Sequence, residues 1–439
     1  MKVYFIGIGG IGVSALAQYY FAKGHEVSGS DLVASEITDF LKNQGIKINI
    51  GQKSENIKQD IDLAVYSPAV KIDNPEYKKV KKLGIKIQSY PEALGELTKN
   101  HFTIAVSGSH GKSTTTAMIA LVLIKAGLDP TVIVGTKVKE FSGQGGLASD
   151  EGNNFRDGKS KVLVIEACEY DSSFLYYLPK IAVVTNVDKE HLDYFKTFAN
   201  VKKAFLKFIM RLPADGFLVF NIDNEFIPRF EQPKFKTAGY SLEQPEAKKI
   251  KKSLKVPGSH NVSNALAALQ VARILEIPDE IIFGALSEFK GTWRRFETKN
   301  VSVNGKKIII ISDYAHHPNE ILATIKAARE KYPKKFITCV FQPHQYQRTH
   351  YLFNDFVKVF QLAIIDEFII TDIYDVAGRE TKTIKKSVSA KKLVKKINKD
   401  SVKYFSLCDI EEYIKKSIKN IDVLIIMGAG DIYKLSDKF

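Results

Sequence analysis

Apolar residues in this chain gather in short unbroken runs, each followed by a turn and then by a longer stretch of mixed character. "KVYFIGIGG", "IDLAVYSPAV", "FTIAVSG", "KVLVIEAC", "IAVVTNV", "FITCVFQ" and "VLIIMGAG" are too short for helices, and too uniformly apolar for strands with one wet face. Such runs read as parallel strands covered on both sides. Helical stretches lie between them. "IGVSALAQYYFAKG" reads as an amphipathic helix closed by Gly24, and "SEITDFLKNQG" as a helix whose first turn Ser35 can cap. Strand and helix alternate in three blocks, residues 1–100, 101–297 and 298–439, with "FKGTWRRFE" as the link out of the second. This alternation predicts an α/β chain of three domains, each with a largely parallel, doubly wound sheet.

Composition adds little to that pattern. The 45% hydrophobic content of the 439 residues supplies several cores. No apolar run approaches the ~20 residues that span a bilayer. The glycine-broken N-terminus reads as a first strand rather than a signal peptide, so a cytoplasmic location without stable membrane insertion is expected. Cys168, Cys339 and Cys408 lie far apart with no paired spacing, which predicts buried reduced thiols rather than disulfides or zinc. The net charge of +15 comes largely from scattered lysines such as "YKKVKKLG" and "KKSVSAKKLVKKINK", without an aromatic-interleaved basic ribbon. Solvated helix faces are the expectation, and nucleic acid is not expected as a partner.

Two glycine loops carry the chemistry. Gly7-Ile8-Gly9-Gly10-Ile11-Gly12 follows a strand and opens a helix, and Asp31 ends the second strand about 20 residues on. A diphosphate on the helix N-terminus and a ribose on the acid would fit there. Taken alone, this loop suggests a dinucleotide dehydrogenase. The second loop, Gly108-Ser109-His110-Gly111-Lys112-Ser113-Thr114, also sits between strand and helix. Backbone amides, a lysine and hydroxyls are the set that holds a polyphosphate and Mg2+. The glycine that usually opens such a loop is replaced by Val106. Two nucleotide sites argue against a simple dehydrogenase. One suits ATP, and the other a nucleotide-linked substrate.

More candidates follow other strands. Glu166, Glu169 and Asp171 come after one strand, and Asp188, Glu190, His191 and Asp193 after the next. Glu169 suits a shell of hard oxygen ligands for Mg2+, and His191 is a metal candidate. Asp313, Tyr314, His316 and His317 follow a third strand. Adjacent histidines rarely share one ion, so one is expected to be structural and the other to bond a substrate. Arg348 suits bidentate recognition of a carboxylate or phosphate.

"VSGSHGKSTTTAM" resembles the ATP loop of the Mur ligases and folylpolyglutamate synthetases, which also lacks the first glycine. With "GIGGIG", "PGSHNVSNALAAL", "GTWRRFE", "SDYAHHPNE", "FQPHQYQRT" and "MGAGDI", the resemblance to Mur ligases runs from about residue 5 to 432. It implies a Rossmann-like domain for a UDP-linked substrate, a central P-loop ATPase domain, and a Rossmann-like domain for the incoming amine. The implied reaction joins L-alanine to the lactyl carboxylate of UDP-N-acetylmuramate through an acyl phosphate, with ATP and Mg2+. The alternative amine is a tripeptide. The resemblance leaves monomer or homodimer open.

By the same resemblance, Gly9, Gly10, Ile11, Gly12, Asp31 and Ser67 meet the UDP moiety, and residues 108–114 meet the phosphates, with Lys112 at the β and γ groups. His260, Asn261 and Asn264 lie at the adenine, and Ser113, Glu169 and His191 around Mg2+. Arg295 and Asp313 bridge nucleotide and substrate, while His316 and Arg348 address the muramyl carboxylate and the amino acid. His316 is also the candidate base, because histidine titrates near neutrality. The chain departs from the family pattern at Cys168 and Gln345, which stand where Asp and Arg are common. It also lacks an arginine in "YPEALGEL".

Overall fold

The computed structural model describes residues 1–141, 152–228, 230–376 and 382–439. The strands form three sheets in chain order. The first holds β1 (Lys2–Ile6), β2 (Glu26–Asp31), β3 (Lys47–Ile50), β4 (Leu63–Tyr66) and β5 (Lys86–Ser89), all parallel in the order β3-β2-β1-β4-β5. The second holds β6 (Phe102–Ser107), β7 (Thr131–Val138), β8 (Asn153–Arg156), β9 (Val162–Glu166), β10 (Ile181–Val184), β11 (Phe217–Asn221) and β12 (Lys236–Tyr240). Its order is β12-β11-β10-β6-β9-β7-β8, and only β8 runs antiparallel. The third holds β13 (Glu297–Val303), β14 (Lys306–Asp313), β15 (Ile337–Phe341), β16 (Glu367–Ile370), β17 (Val402–Tyr404) and β18 (Val423–Met427). Its order is β13-β14-β18-β15-β16-β17, with β13 alone antiparallel. The three-domain α/β expectation holds.

The described residues form two compact units. Met1–Asp188, Ala199–Ile250 and Ser263–Trp293 carry the first two sheets. Lys189–Phe198, Lys251–Val262 and Arg294–Phe439 carry the third.

In the first unit the helix Ile11–Ala22 departs from expectation. It is not amphipathic: Val13 to Tyr20 are all buried, because it packs on the first sheet and also on β7 and β8 of the second. Its polar positions are taken up locally. Gln18 Nε2 donates to Asn154 Oδ1 at 2.9 Å, Asn153 Nδ2 returns a bond to Gln18 Oε1 at 2.9 Å, and Asn154 Nδ2 reaches Ser14 Oγ at 2.9 Å. Buried polar groups matched in this way avoid the cost of desolvation without a partner. Gly24 closes the helix at φ +78°, and Ser35 caps the next helix, its Oγ accepting from Thr38 N–H at 3.3 Å.

In the second unit the run "KKIIIISD" covers both faces of its sheet. Ile308 and Ile310 pack with Ile410, Ile414 and Leu424, while Ile309 and Ile311 pack with Ile321, Ile325 and Ile425. Alternation along a strand with apolar residues on both sides is what makes the run continuous.

All three cysteines are free. Cys339 is buried in β15 and Cys168 half-buried, with burial pushing the Cys168 thiol up to about 12. Cys408 is exposed, against the expectation of burial, because it lies in the turn after β17.

Candidate functional site

In each parallel sheet the candidate residues follow the C-terminal strand ends, and in the first two the glycine loop sits where the strand order reverses. After β1, the Gly7 and Ile8 amides both donate to Ser30 O, at 2.9 and 3.0 Å. Gly9 N–H donates to Asp31 Oδ2 at 2.8 Å, and Leu32 N–H to Asp31 Oδ1 at 2.7 Å. Asp31 thus draws the loop onto the end of β2 while keeping lone pairs for a ligand. Ser67 follows β4, its N–H on Ile6 O at 2.9 Å. Gly10 is the N-cap of the helix that Ile11 opens, and a Cβ on Gly12 would come 2.9 Å from Tyr90 Oη. The last glycine is therefore a packing residue.

The second loop follows β6. Val106 is wholly buried inside that strand, paired with Val183 and Glu166, so the position of the missing glycine belongs to the sheet. The loop begins at Gly108, whose φ is +142° and whose Cβ would fall 1.9 Å from Thr185 Oγ1. Thr185 Oγ1 and Asn186 Nδ2 donate to His110 O, at 2.6 and 3.0 Å. His110 N–H returns a bond to Asn186 Oδ1 at 2.8 Å, and Asp188 N–H donates to Ser109 Oγ at 2.8 Å. The turn after β10 therefore fixes the loop. Asn264, expected at the adenine, has Oδ1 2.4 Å from where a Cβ on Gly111 would stand.

Lys112 opens the helix Lys112–Lys125 and turns back into the loop. Its Nζ donates to Gly108 O at 2.6 Å, Ser109 O at 3.3 Å and Glu169 Oε2 at 2.9 Å. Burial lowers its pKa, but the Glu169 carboxylate more than offsets this and holds it above the usual lysine range. Ser113 and Thr114 are buried in the same first turn. Glu169 is fully buried just past β9. A carboxylate and a hydroxyl are hard oxygen donors, so Glu169 and Ser113 fit Mg2+. His191 lies in the other unit and offers a nitrogen, which suits that cation less well. Glu166 accepts Gly135 N–H at 2.9 Å and buttresses β7.

In the second unit Asp313 ends β14. Its Oδ2 accepts Phe296 N–H and its Oδ1 accepts Ala315 N–H, both at 2.8 Å. Burial nevertheless raises its pKa, against the pull of Arg295 and these two amides. Asp313 thus joins the "RRFE" segment to the loop bearing the histidines. Arg294 is the buried arginine of that segment. It donates to Gly428 O and to Gly430 O, the latter at 3.1 Å, between the rings of Tyr314 and Tyr433. Arg295 is more open, 3.9 Å from Glu320 Oε1. His260 is kept neutral, its pKa lowered to about 4 by burial and then by Arg295, and Asn261 Nδ2 donates to Pro257 O at 2.7 Å.

The two histidines have different surroundings. His317 caps the helix Pro318–Lys331, with Nδ1 accepting Asn319 N–H at 3.3 Å. His316 Nδ1 faces Tyr314 O at 3.0 Å and Glu320 Oε2 at 3.3 Å, two acceptors, which assigns the proton to Nδ1 and a lone pair to Nε2. The expectation that His316 titrates near neutrality fails: burial lowers its pKa to about 4, and Glu320 only partly offsets this. At pH 7 it is a neutral acceptor and a weak base.

Arg348 donates to Glu190 Oε1 from Nε at 3.1 Å and from Nη2 at 2.8 Å, and from Nη1 to His344 O at 3.2 Å. Both partners of the pair are almost fully buried. Burial would raise the Glu190 carboxyl, yet Arg348 and then His191 hold it well below the usual range. Sequence reading named Glu190 without a role. Its partner lies 158 residues on, and only the acid-rich turn after a strand hinted at it. Arg294 was likewise passed over for Arg295. A small cleft here is lined by Glu190, His191, Asp193, Gln345, Arg348 and Tyr351.

Backbone strain gathers around these residues. Among the described residues eleven non-glycine positions have positive φ, and seven of them (Asp171, Ser172, His191, Lys196, Arg294, Phe296 and Gln345) are candidate residues or lie within three positions of one. Such conformations concentrate at functional sites because the surrounding structure must hold them.

Three family models match this chain in succession. Residues 2–102 match the Mur ligase family catalytic domain, 106–272 the Mur ligase middle domain, and 294–430 the Mur ligase glutamate ligase domain. The UDP-N-acetylmuramate–L-alanine ligase of Clostridium tetani is 43% identical over all of this chain and 97% of its own length. That of Acetivibrio thermocellus is 41% identical over 100% and 95%. The crystal structure of the UDP-N-acetylmuramate–alanine ligase from Thermotoga maritima superposes with a TM-score of 0.80 at 29% identity, covering 100% of this chain and 98% of that one. A murein peptide ligase structure from Psychrobacter arcticus shares the fold at a TM-score of 0.70 and 23% identity, covering 100% and 98%. With all three domain types matched in order and full-length relatives above 40% identity, the chain belongs to the Mur ligase family.

Proposed function

We infer that this chain is an ATP-dependent carboxylate–amine ligase that joins L-alanine to the lactyl carboxylate of UDP-N-acetylmuramate, an early step of peptidoglycan precursor synthesis, acting in the cytoplasm. The observation that carries this reading is the second glycine loop, with Lys112 protonated and buried between two loop carbonyls and Glu169. Residues 1–100 would hold the UDP moiety, 101–297 the ATP, and 298–439 the amine.

A carboxylate does not condense with an amine at neutral pH, so it must be activated. Its oxygen attacks the γ-phosphorus in line, forming an acyl phosphate and releasing ADP. The amine nitrogen then attacks the acyl carbon, and the tetrahedral intermediate collapses with loss of phosphate. Positioning and charge neutralisation supply most of the barrier reduction. Lys112 and the amides of residues 108–114 would hold the β and γ phosphates. Ser113 and Glu169 would hold Mg2+, which would neutralise charge on the transferring phosphoryl group. Arg295 and Arg348 would orient the carboxylates. His316 Nε2 presents a lone pair that can orient the amine, but a group titrating near 4 does not deprotonate an alkylammonium at neutral pH.

Phosphate release with ATP and UDP-N-acetylmuramate, measured across alanine, glycine, serine and a tripeptide, tests the amine. Alanine should give the highest kcat/KM, and a preference for the tripeptide would reassign the substrate. The glycine loop after β1 is tested separately. In Gly9→Val the new side chain would meet Asp31 Oδ2, already 2.8 Å from the Cβ position. Binding of UDP-N-acetylmuramate should weaken by roughly tenfold or more, the scale of about 1–3 kcal/mol for a forced overpacking, with ATP binding retained. Equal loss of both ligands, or tight NAD binding by the unaltered protein, would count against a UDP site there.

A further inference from the structure

The catalytic candidates of the second unit follow the C-terminal ends of its strands, and the opposite edge of the same sheet has a chemistry of its own. β14, β18, β15, β16 and β17 are parallel, so their N-terminal ends share one edge. Hydrogen bonds tie that edge into a continuous surface. Lys306 Nζ donates to Lys419 O at 2.6 Å, Asp422 N–H to Phe336 O at 3.0 Å, and Asp366 N–H to Ile337 O at 3.2 Å. Lys399 Nζ reaches Gln361 O and Ala363 O, both at 3.4 Å.

Two kinds of side chain project from it. Leu362 and Ile364, just before β16, are 71% and 70% exposed, among the most exposed large apolar residues described, and Phe336, just before β15, is 38% exposed. Lysines lie at or just before the same strand starts: Lys306 and Lys307 open β14, Lys334 and Lys335 precede β15, Lys399 precedes β17 and Lys419 precedes β18. Two of the edge's acids are already engaged, Asp366 with Arg329 at 2.7 Å and Asp422 with Lys306 at 3.4 Å. The helix Ala390–Ile397 leads into the same edge through Asn398 and Lys399. It buries Ala390, Leu393 and Ile397 and exposes Lys391, Lys392, Lys395 and Lys396. From 382 to 403 the chain holds nine lysines, one aspartate and no arginine.

We propose that this edge docks the protein peripherally on an anionic lipid surface. Protruding aliphatic side chains and lysines on one edge supply the two signals that reversible membrane binding requires, apolar insertion and attraction to charged headgroups. Lysine stems can lie along the acyl boundary while their ammonium groups stay among the headgroups. The choice of lysine over arginine fits a diffuse layer of charge, since arginine's rigid fork serves discrete phosphates. A second copy of the chain would bring like charges together. A nucleic acid backbone would leave Leu362 and Ile364 without an apolar partner. Docking by this edge leaves the strand ends that bear Asp313, His316 and Arg348 on the far side of the sheet.

The test is co-sedimentation of the full-length protein with phosphatidylcholine vesicles containing or lacking about a third phosphatidylglycerol, at low and high salt. The bound fraction should be at least severalfold higher with the anionic vesicles and should fall when KCl is raised to half molar. Leu362→Ser with Ile364→Ser, and separately Lys334→Glu with Lys335→Glu and Lys399→Glu, should each reduce binding severalfold while kcat/KM for ligation is unchanged. Equal binding to neutral vesicles, insensitivity to salt, or unaltered binding by both variants would overturn the proposal. So would tighter binding to duplex RNA than to the anionic vesicles with the same dependence on these lysines.

Discussion

Lys112→Ala should lower phosphate release by roughly 10³-fold, the scale for losing one preorganised donor to transition-state charge, while UDP-N-acetylmuramate still binds. It should also destabilise the first unit, for a reason separate from catalysis. Lys112 Nζ is 2.9 Å from Glu169, whose side chain is fully buried, and removing one member of such a pair strands the other. That costs about 3–5 kcal/mol. The two effects separate in a double variant, Lys112→Met with Glu169→Gln, in which no charge is left uncompensated: melting temperature should recover and phosphate release should not. The lysine pKa is raised, so the pair's stabilisation is complete below the unfolded lysine value and is lost only as pH climbs through the higher folded value. Assays near neutrality will not titrate it. Phosphate release in Lys112→Ala above a tenth of the unaltered rate would remove this residue from the phosphates.

Arg348→Met should lower the melting transition of the second unit by about 10 °C, from ~3–5 kcal/mol for an orphaned buried charge in a body of this size. The pH dependence carries the sign. In the intact protein the Glu190 carboxyl is held well below its usual range, so its stabilisation is present above the unfolded pKa and is lost as pH falls through the folded one. Without Arg348, burial acts with less opposition and the folded pKa rises. The variant's deficit should then be largest near pH 8 and narrow towards pH 5, as the carboxyl gains a proton. Adding Glu190→Gln should restore stability at pH 8. An Arg348→Met deficit that does not change with pH would mean that packing, not charge, is what the arginine contributes.

The strands and glycine loops were legible because their signals are local. A doubly covered strand is a run of apolar residues, and a phosphate loop is a spacing of glycines before a helix. What escaped reading depends on partners distant in the chain. The antiparallel additions β8, "NNFR", and β13, "ETKNVSV", carry too many polar residues to stand out, and they form by pairing with β7 and β14. The helix Ile11–Ala22 looked amphipathic because Ser14 and Gln18 are polar, but both are buried against asparagines about 140 residues away. His316 looked like a base from its residue type alone. Its burial against Tyr314 and Glu320 is what moves its titration, and burial is a property of the fold. Arg348 was recognised as an anion binder, but not that the chain itself supplies one in Glu190.

The helix Ile11–Ala22 has a consequence for how the two nucleotide loops share their stability. It starts directly after one loop and is buried against both the first sheet and the strands β7 and β8 of the second. Loss of order in either sheet would expose part of this helix, so the unfolding of the two sheets is expected to be coupled. Linkage then makes each ligand a stabiliser of the other's site: a nucleotide bound at either loop favours the folded form of both by RT ln(1 + [L]/Kd). On the proposed assignment of the two loops, ATP at residues 108–114 would help keep folded the sheet that carries the other loop.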